Sequence, residues 1–265
     1  LSCIIGDLPD PIWCSCDTFI FRVDKTVNLK SLFATLLALN IINADIPMIE
    51  KRATFKTNNK EERELEYLIY LPEDYDINNE SYPLVLFLHG AGERGNDLEL
   101  VKIHGIPKLV ESGRNFPFVT IAPQCPEEGY WDRPEYVSSL ISLTKDVVNN
   151  YRIRSGQVYG TGLSMGGLGI LATSIKDPAL FAAIVPVCGG ADLKYIERLE
   201  KMPIWLFHGD KDDVIPVENS ISIYQALKPI NNDVIMTIYG GVDHDSWTET
   251  YENDDVYHWL LKHSN

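Results

Sequence analysis

Short apolar runs alternate with amphipathic stretches along most of the chain from about residue 50 onward. Continuous apolar runs of this length are typical of β-strands that are covered on both faces. They predict strands at 83–88, 118–122, 157–160, 182–187, 204–207 and 234–239. Apolar residues spaced three or four positions apart predict helices at 135–151, 168–175, 219–227 and 254–262.

Two further segments, 51–57 and 65–71, alternate apolar and polar residues and are joined by the polar residues 58–62. This pattern predicts an antiparallel hairpin. The alternation of strands and helices beyond it indicates the α/β class, with a mostly parallel central sheet flanked by helices. Right-handed crossovers bring the carboxyl ends of parallel strands to one edge of the sheet, where ligands of such folds bind.

Composition narrows the class of protein. The 265 residues are 45% hydrophobic and 23% charged, which is ordinary for a globular domain and excludes collagen-like, coiled-coil and wholly disordered chains. A net charge of −15 repels nucleic acid and anionic membranes, so neither is an expected partner. Five cysteines with no repeated C-x-x-C pattern argue against a zinc ribbon or a disulfide scaffold. We therefore expect no metal and free thiols at Cys125 and Cys188.

The N-terminal part has a different pattern. In residues 28–44, Lys30 precedes a short apolar stretch that ends in Ala44, the layout of a secretory signal. The alternative is an amphipathic helix, because Leu29, Leu32 and Leu36 share one helical face. We predict an unassigned segment at 1–27, a signal-like segment at 28–44, a catalytic domain at 45–265, and secretion of that domain.

A G-x-S-x-G motif, Gly162 to Gly166, falls between a predicted strand and a predicted helix. Its glycines permit a sharp turn that exposes the hydroxyl of Ser164, and the N–H groups of the following helix favour negative charge there. The motif alone often arises by chance. Its position between a strand and a helix makes Ser164 a predicted nucleophile.

A serine hydroxyl becomes a good nucleophile only when a base takes its proton. Of six histidines, His244 lies in a loop directly after the last predicted strand and beyond every acidic candidate, the chain order expected for this motif. The alternative is a loop histidine that faces solvent. The acid is expected in the loop 209–216, where spacing alone cannot choose among Asp210, Asp212 and Asp213.

The oxyanion of an ester-hydrolysis intermediate needs two fixed N–H donors. Met165, directly after the serine, is expected to supply one. The second is expected from the glycine-rich turn at 89–92, with Ala91 as the first choice and Gly92 as the second. His89 in the same turn is expected to form structural hydrogen bonds.

Four segments in this order, PLVLFLHGAGERGND, YGTGLSMGG, FHGDKDDVIP and GVDHDSW, resemble the α/β-hydrolase superfamily. More narrowly, residues 60–265 resemble serine esterases of the phospholipase/carboxylesterase, polyhydroxybutyrate-depolymerase-like and feruloyl-esterase groups. The resemblance implies an α/β-hydrolase fold that needs no cofactor. It implies a triad of Ser164, His244 and Asp212, because Asp212 matches the second aspartate of the carboxylesterase H-G-D-x-D pattern. It also implies that Ala91 supplies an oxyanion N–H.

The substrate is less sharply indicated. Between the strands predicted at 182–187 and 204–207, the segment from Gly189 to Met202 holds only 14 residues, which leaves no room for a large cap domain and favours an open site. Trp131 and Trp247 lie in loops at the catalytic edge and offer flat surfaces for a feruloyl or cinnamoyl ring. The alternative is that they wall the pocket without selectivity.

We therefore expect a carboxylesterase for short-chain or aromatic esters, acting on small-molecule or polysaccharide-linked substrates. A serine peptidase of the prolyl-oligopeptidase kind is an alternative, although about 50 residues before the first core strand cannot supply the extra domain of such enzymes. A non-catalytic binding protein on the same fold is a third possibility, and such proteins typically lose the nucleophile or the base.

Overall fold

The computed structural model describes residues 47–57 and 59–265, together with the backbone of two N-terminal strands. The chain divides into two compact units, Leu1–Ile46 and Pro47–Asn265. In the first unit, β1 (Ile12–Cys16) pairs antiparallel with β2 (Phe19–Val23). Sequence reasoning missed this hairpin, because the intervening Asp-Thr lacks the glycine or asparagine that marks a two-residue turn. The signal-like segment 28–44 lies outside the described residues.

An eight-stranded sheet forms the centre of the second unit, in the order β10-β9-β8-β7-β5-β6-β4-β3. Strands β5 to β10 run parallel, whereas β4 is antiparallel to β6 and β3 is antiparallel to β4. This confirms the predicted hairpin and the mostly parallel sheet. The strands are β3 (Ile49–Phe55), β4 (Leu65–Leu71), β5 (Tyr82–Leu88), β6 (Val119–Pro123), β7 (Ile153–Leu163), β8 (Ala183–Val187), β9 (Ile204–Gly209) and β10 (Val234–Tyr239).

The continuous apolar runs form strands because both faces of the sheet are covered. All residues of β5, β6 and β8 are buried. Successive side chains of a strand point to opposite faces. Accordingly, Leu84 and Leu86 of β5 belong to one hydrophobic cluster, whereas Val85 and Phe87 belong to the other. The central strands therefore connect two cores, one on each side of the sheet.

The helices cover these two faces. The four predicted helices are present, with ends that differ from the prediction by at most three residues. Two short helices, α1 and α5, were not predicted, because six or seven residues are too few to show a helical period. The helices are α1 (Gly105–Glu111), α2 (Pro134–Asn150), α3 (Met165–Lys176), α4 (Glu218–Leu227), α5 (Trp247–Glu252) and α6 (Asp254–Leu260).

The connections stay short at the edge where the parallel strands end. Between β8 and β9 the chain forms only a 3₁₀ segment, Leu193–Leu199, so no large cap domain is present in the described part of the chain. Two other 3₁₀ segments, Ala91–Glu93 and Leu98–Ile103, follow β5. None of the helices from residue 47 onward combines the length and apolar character needed to span a membrane.

We predict that a protein beginning at Asp45 folds without residues 1–44. All eight strands of the central sheet belong to the compact unit Pro47–Asn265. The free energy of unfolding in urea should therefore lie within about 1 kcal/mol of that of the whole chain. The measurement is a pair of urea titrations followed by circular dichroism. Aggregation of the shorter protein, beside a cooperative transition of the whole chain, would show that residues 1–44 belong to the folding unit.

Candidate active site

The serine of the G-x-S-x-G motif lies at a sharp turn. Strand β7 ends at Leu163, helix α3 begins at Met165, and Ser164 between them has φ 54° and ψ −118°. A positive φ is rare for a residue other than glycine, and such strain, about 1–3 kcal/mol, persists only where the surroundings impose it. The N–H of Ser164 donates to the carbonyl of Val187 at 3.0 Å, which ties the turn to the end of β8.

The two glycines of the motif are required by packing. A Cβ on Gly166 would lie 2.0 Å from the carbonyl oxygen of Leu88, at the end of β5. A Cβ on Gly162 would lie 2.6 Å from the carbonyl carbon of Gly166. Real Cβ atoms do not approach backbone this closely, so only glycine lets the first turn of α3 pack against the end of β5.

The three residues of the predicted triad form one chain of hydrogen bonds. The Oγ of Ser164 lies 2.9 Å from Nε2 of His244, in the loop after β10. The Nδ1 of His244 lies 2.7 Å from Oδ2 of Asp212, in the loop after β9. A carboxylate only accepts hydrogen bonds, so these partners assign the proton to Nδ1 and leave Nε2 free to accept from the serine hydroxyl. This tautomer is the one in which His244 can act as a base.

The carboxyl group of Asp212 is buried and held by several donors. Its Oδ1 accepts the N–H groups of Val214 and Ile215, each at 2.9 Å. Burial by itself raises the pKa of this carboxyl, but the hydrogen bonds from His244 and from the two N–H groups outweigh burial and lower the pKa below its ordinary value. Asp212 is therefore ionised at neutral pH, beside the imidazole.

The other two aspartates of the loop have different surroundings. Asp210 accepts the N–H of Gly241 at 2.6 Å. Asp213 is exposed to solvent. Of the three candidates that spacing left open, the structure brings Asp212 to His244.

The turn after β5 lies beside the serine. A Cβ on Gly90 would lie 3.8 Å from Cβ of Ser164. Ala91 is the first residue of a 3₁₀ segment and Met165 is the first residue of α3, so neither N–H has an acceptor within its own helix. Gly92 is exposed, and a Cβ there would contact nothing within 4 Å. The predicted oxyanion donors thus belong to two adjacent helix starts, and the space beside Gly92 is open.

Two buried side chains hold this turn from behind. His89 is fully buried; its Nδ1 lies 2.6 Å from the carbonyl oxygen of Gly90, and its Nε2 accepts the N–H of Cys125 at 2.9 Å. Burial lowers the pKa of His89 to about 4, so the ring is neutral at pH 7 and Nδ1–H donates to Gly90. The carboxylate of Glu93 accepts the N–H of Gly90 at 2.8 Å. The predicted structural role of His89 is confirmed.

Trp131 does not line the site, and this part of the prediction was wrong. Its side chain is fully buried, and its Nε1 donates to the carbonyl oxygen of His89 at 3.2 Å. The ring packs edge-on against His89, and a Cβ on Gly169 of α3 would lie 2.4 Å from Cβ of Trp131. A loop position does not reveal which way a side chain points, and burying a large ring is favourable.

Trp247, by contrast, lies at the site. It is the first residue of α5, and its partly buried ring packs edge-on against His244, with ring centroids 5.2 Å apart. Its other neighbour is His104, at 5.4 Å. The Nε2 of His104 lies 3.8 Å from Oε1 of Glu93, so this histidine belongs to the surroundings of the site. The sequence pattern alone gives no signal that His104 lies here.

One cluster among the described residues has donor atoms suited to a metal ion. The donor atoms of Cys188, Asp212 and His244 all lie within 4.8 Å of one another. Asp212 and His244 are already hydrogen-bonded to each other, and burial raises the pKa of Cys188 to about 12. Since two of its three members are already bonded to each other, we interpret the cluster as part of the hydrogen-bonded site. Cys125 and Cys188 are both buried free thiols, as predicted.

A serine at a strained strand–helix turn, on a sheet of this order, is typical of the α/β-hydrolase fold, and the comparisons show an esterase of this type. Residues 106–264 match the phospholipase/carboxylesterase family, and the chain belongs to this family. It is similar to probable feruloyl esterase C of Aspergillus niger, with 25% identity over 202 residues that cover 73% of this chain and 74% of that protein.

Solved structures agree with this assignment. The crystal structure of a thermostable esterase has a TM-score of 0.69 and 35% identity, and the match covers 81% of this chain. This chain spans 63% of the length of that esterase. A ferulic acid esterase has a TM-score of 0.65 and 18% identity, covers 82% of this chain and 99% of its own, and shares the fold.

We predict that Gly166→Ala lowers the free energy of unfolding by about 3 kcal/mol, because the added methyl group would overlap the carbonyl oxygen of Leu88. Gly240→Ala is the matched control, since a Cβ there meets nothing within 4 Å. The control should stay within about 0.5 kcal/mol of the parent in urea titrations. Equal stability of the two variants would show that the turn at Ser164 can relax to accommodate a side chain at residue 166.

Proposed function

We propose that the protein hydrolyses esters of short-chain or aromatic carboxylic acids, with Ser164, His244 and Asp212 as a catalytic triad. The observation that carries the proposal is the unbroken chain of hydrogen bonds, 2.9 Å from Ser164 to His244 and 2.7 Å from His244 to Asp212. Both distances lie within the reach that proton transfer between nucleophile and base requires.

In the first half of the reaction, Oγ of Ser164 attacks the ester carbonyl carbon while Nε2 of His244 takes the hydroxyl proton. The ionised Asp212 stabilises the resulting imidazolium without taking its proton. The N–H groups of Ala91 and Met165 bind the oxyanion of the tetrahedral intermediate. When this intermediate collapses, the alcohol leaves with the proton from His244, and the acyl group stays on Ser164.

In the second half, Nε2 of His244 takes a proton from water as the water oxygen attacks the acyl carbon. The same two N–H groups bind the second oxyanion. Collapse of this intermediate breaks the bond to Ser164, which recovers its proton from His244, and the carboxylic acid leaves. Each step uses only side chains and N–H groups of the site.

Two features support short or aromatic acyl groups. The connection between β8 and β9 holds only the 3₁₀ segment Leu193–Leu199, so no cap covers a long acyl chain there. Each CH₂ group that stays in water forfeits about 0.8 kcal/mol, which amounts to several kcal/mol on a palmitoyl chain. The ring of Trp247 beside His244 offers a flat surface, and the similarity to probable feruloyl esterase C supports an aromatic acyl group.

The proposed triad predicts large differences in kcat between variants of its members and variants of the neighbouring aspartates. Ser164→Ala should lower kcat on p-nitrophenyl butyrate by about 10⁴- to 10⁶-fold. Asp212→Asn should lower kcat by about 10⁴-fold, because the amide N–H would replace the oxygen that accepts from Nδ1 and would favour the wrong tautomer of His244. Asp210→Asn and Asp213→Asn are matched controls and should stay within about tenfold of the parent. A Ser164→Ala variant that keeps a tenth of the parental rate would show that Ser164 is not the nucleophile. A loss of about 10⁴-fold in Asp213→Asn would instead assign the role of the acid to Asp213.

Acyl selectivity gives a separate prediction. The ratio kcat/KM should fall from butyryl to octanoyl to palmitoyl esters and should be high for methyl ferulate. Trp247→Ala should lower kcat/KM for methyl ferulate by about tenfold more than for acetyl esters, the loss of one aromatic contact with the acyl group. Trp131→Phe is the control, because it removes the bond to His89 inside the core. Trp131→Phe should lower the free energy of unfolding by about 2 kcal/mol without changing the ratio of feruloyl to acetyl turnover.

A rise of kcat/KM towards palmitoyl would reveal an acyl channel and refute the proposed selectivity. Hydrolysis of a prolyl amide at a rate comparable with that of butyryl esters would instead assign the same triad to a peptidase. An unchanged ratio of feruloyl to acetyl turnover in Trp247→Ala would exclude this ring from substrate binding.

A further inference from the structure

A second imidazole contacts the carboxylate of Asp212. His208, near the end of β9, is fully buried. Its Nε2 lies 3.1 Å from Oδ2 of Asp212 and 2.8 Å from the carbonyl oxygen of Ile215. Its Nδ1 lies 2.7 Å from Oγ of Ser220, in helix α4. The mechanism described above makes no use of this residue.

The partners of His208 assign its protons. Both oxygens near Nε2 are acceptors, so Nε2 must carry a hydrogen and donate it. The hydroxyl of Ser220 can donate to Nδ1. The single N–H at Nε2 is shared between the carbonyl oxygen of Ile215, at 2.8 Å, and Oδ2 of Asp212, at 3.1 Å, the same oxygen that binds His244.

Each oxygen of the Asp212 carboxylate thereby accepts two hydrogen bonds. Oδ1 takes the N–H groups of Val214 and Ile215, and Oδ2 takes the imidazoles of His244 and His208. Within the described part of the chain, these two histidines are the only ion-pair partners of Asp212. The other titratable group facing it is the thiol of Cys188, within 4.8 Å.

We infer that His208 is a positioning residue that fixes Oδ2 of Asp212 and limits how strongly this oxygen attracts the proton of His244. The inference rests on the proposed triad. Without His208, the two N–H groups on Oδ1 still hold one oxygen, but Oδ2 is left with His244 alone. Helix α4 holds Nδ1 of His208 through Ser220, and the loop after β9 holds Nε2 through the carbonyl oxygen of Ile215, so both ring nitrogens are fixed beside the acid.

A pair of variants separates the donor from the bulk of the ring. In His208→Gln, the side-chain amide nitrogen can occupy the place of Nε2 and still donate to Asp212. In His208→Asn, the amide reaches only the place of Nδ1, and Oδ2 loses its second donor. We expect His208→Asn to lower kcat on p-nitrophenyl butyrate by about 10- to 100-fold with KM unchanged, the effect of one hydrogen bond to a charged group. His208→Gln should stay within about threefold of the parent.

The pH profile gives a readout that a merely structural role would not move. The acid limb of kcat/KM reports the pKa of the base in the free enzyme. When Oδ2 loses a donor, more of its negative charge acts on His244 and favours the imidazolium. The acid limb of His208→Asn should therefore move to higher pH, by about half a unit to one unit, whereas that of His208→Gln should not move.

Equal kcat and equal acid limbs in the two variants, whether both parental or both impaired, would overturn the inference. If neither variant folds, Ser220→Ala decides, because it removes only the group that holds Nδ1. It should give a smaller loss of kcat with the acid limb shifted in the same direction, and an unmoved limb would overturn the inference. Ser164→Ala is measured beside them. Activity in that variant would refute the triad itself, whereas an inactive Ser164→Ala beside unaffected His208 variants would refute only the role of His208.

Discussion

The site depends on the close approach of Gly166 to the carbonyl oxygen of Leu88. A Cβ built on Gly166 would lie 2.0 Å from that oxygen, so no side chain fits between the first turn of α3 and the end of β5. This contact forces the chain from strand to helix within one residue, so Ser164 takes the positive φ that would otherwise be unfavourable. The same contact brings the turn after β5 beside the serine. One steric constraint thus places Ser164, the proposed nucleophile, and the predicted oxyanion donors together.

The acid depends on a different kind of constraint, the supply of hydrogen-bond donors to a buried charge. An ionised carboxylate without partners would be neutralised by burial. Asp212 instead receives N–H groups from its own loop and from two imidazoles, and its pKa is lowered despite burial. Asp210 and Asp213 are both exposed, and Asp210 accepts the N–H of Gly241, so the three carboxyl groups of this loop have different surroundings.

Much of this arrangement could be predicted from the sequence, because it follows from local rules. Apolar runs fixed the core strands, and the order of Ser164 and His244 at strand ends placed them at one edge. Spacing could not select Asp212, since the three aspartates of this loop differ only in the donors that the folded loop presents to them. Trp131 was misplaced because ring direction depends on packing against α3 and His89. Helix α5 was too short to show a period, although it carries Trp247 beside the base.

Three histidines at or just beyond strand ends show how surroundings assign different roles to one side chain. His89 is fully buried between a carbonyl and an N–H, and its pKa of about 4 keeps it neutral. His208 is equally buried, and both of its nitrogens are engaged by side chains or backbone. The side chain of His244 alone retains some exposure, 19%, and its Nε2 faces a hydroxyl that can give up a proton. Proton transfer requires a nitrogen that is free to accept and a charge partner that stabilises the result. Of the three rings, His244 meets both conditions, whereas both nitrogens of His89 and of His208 are already engaged in hydrogen bonds inside the fold.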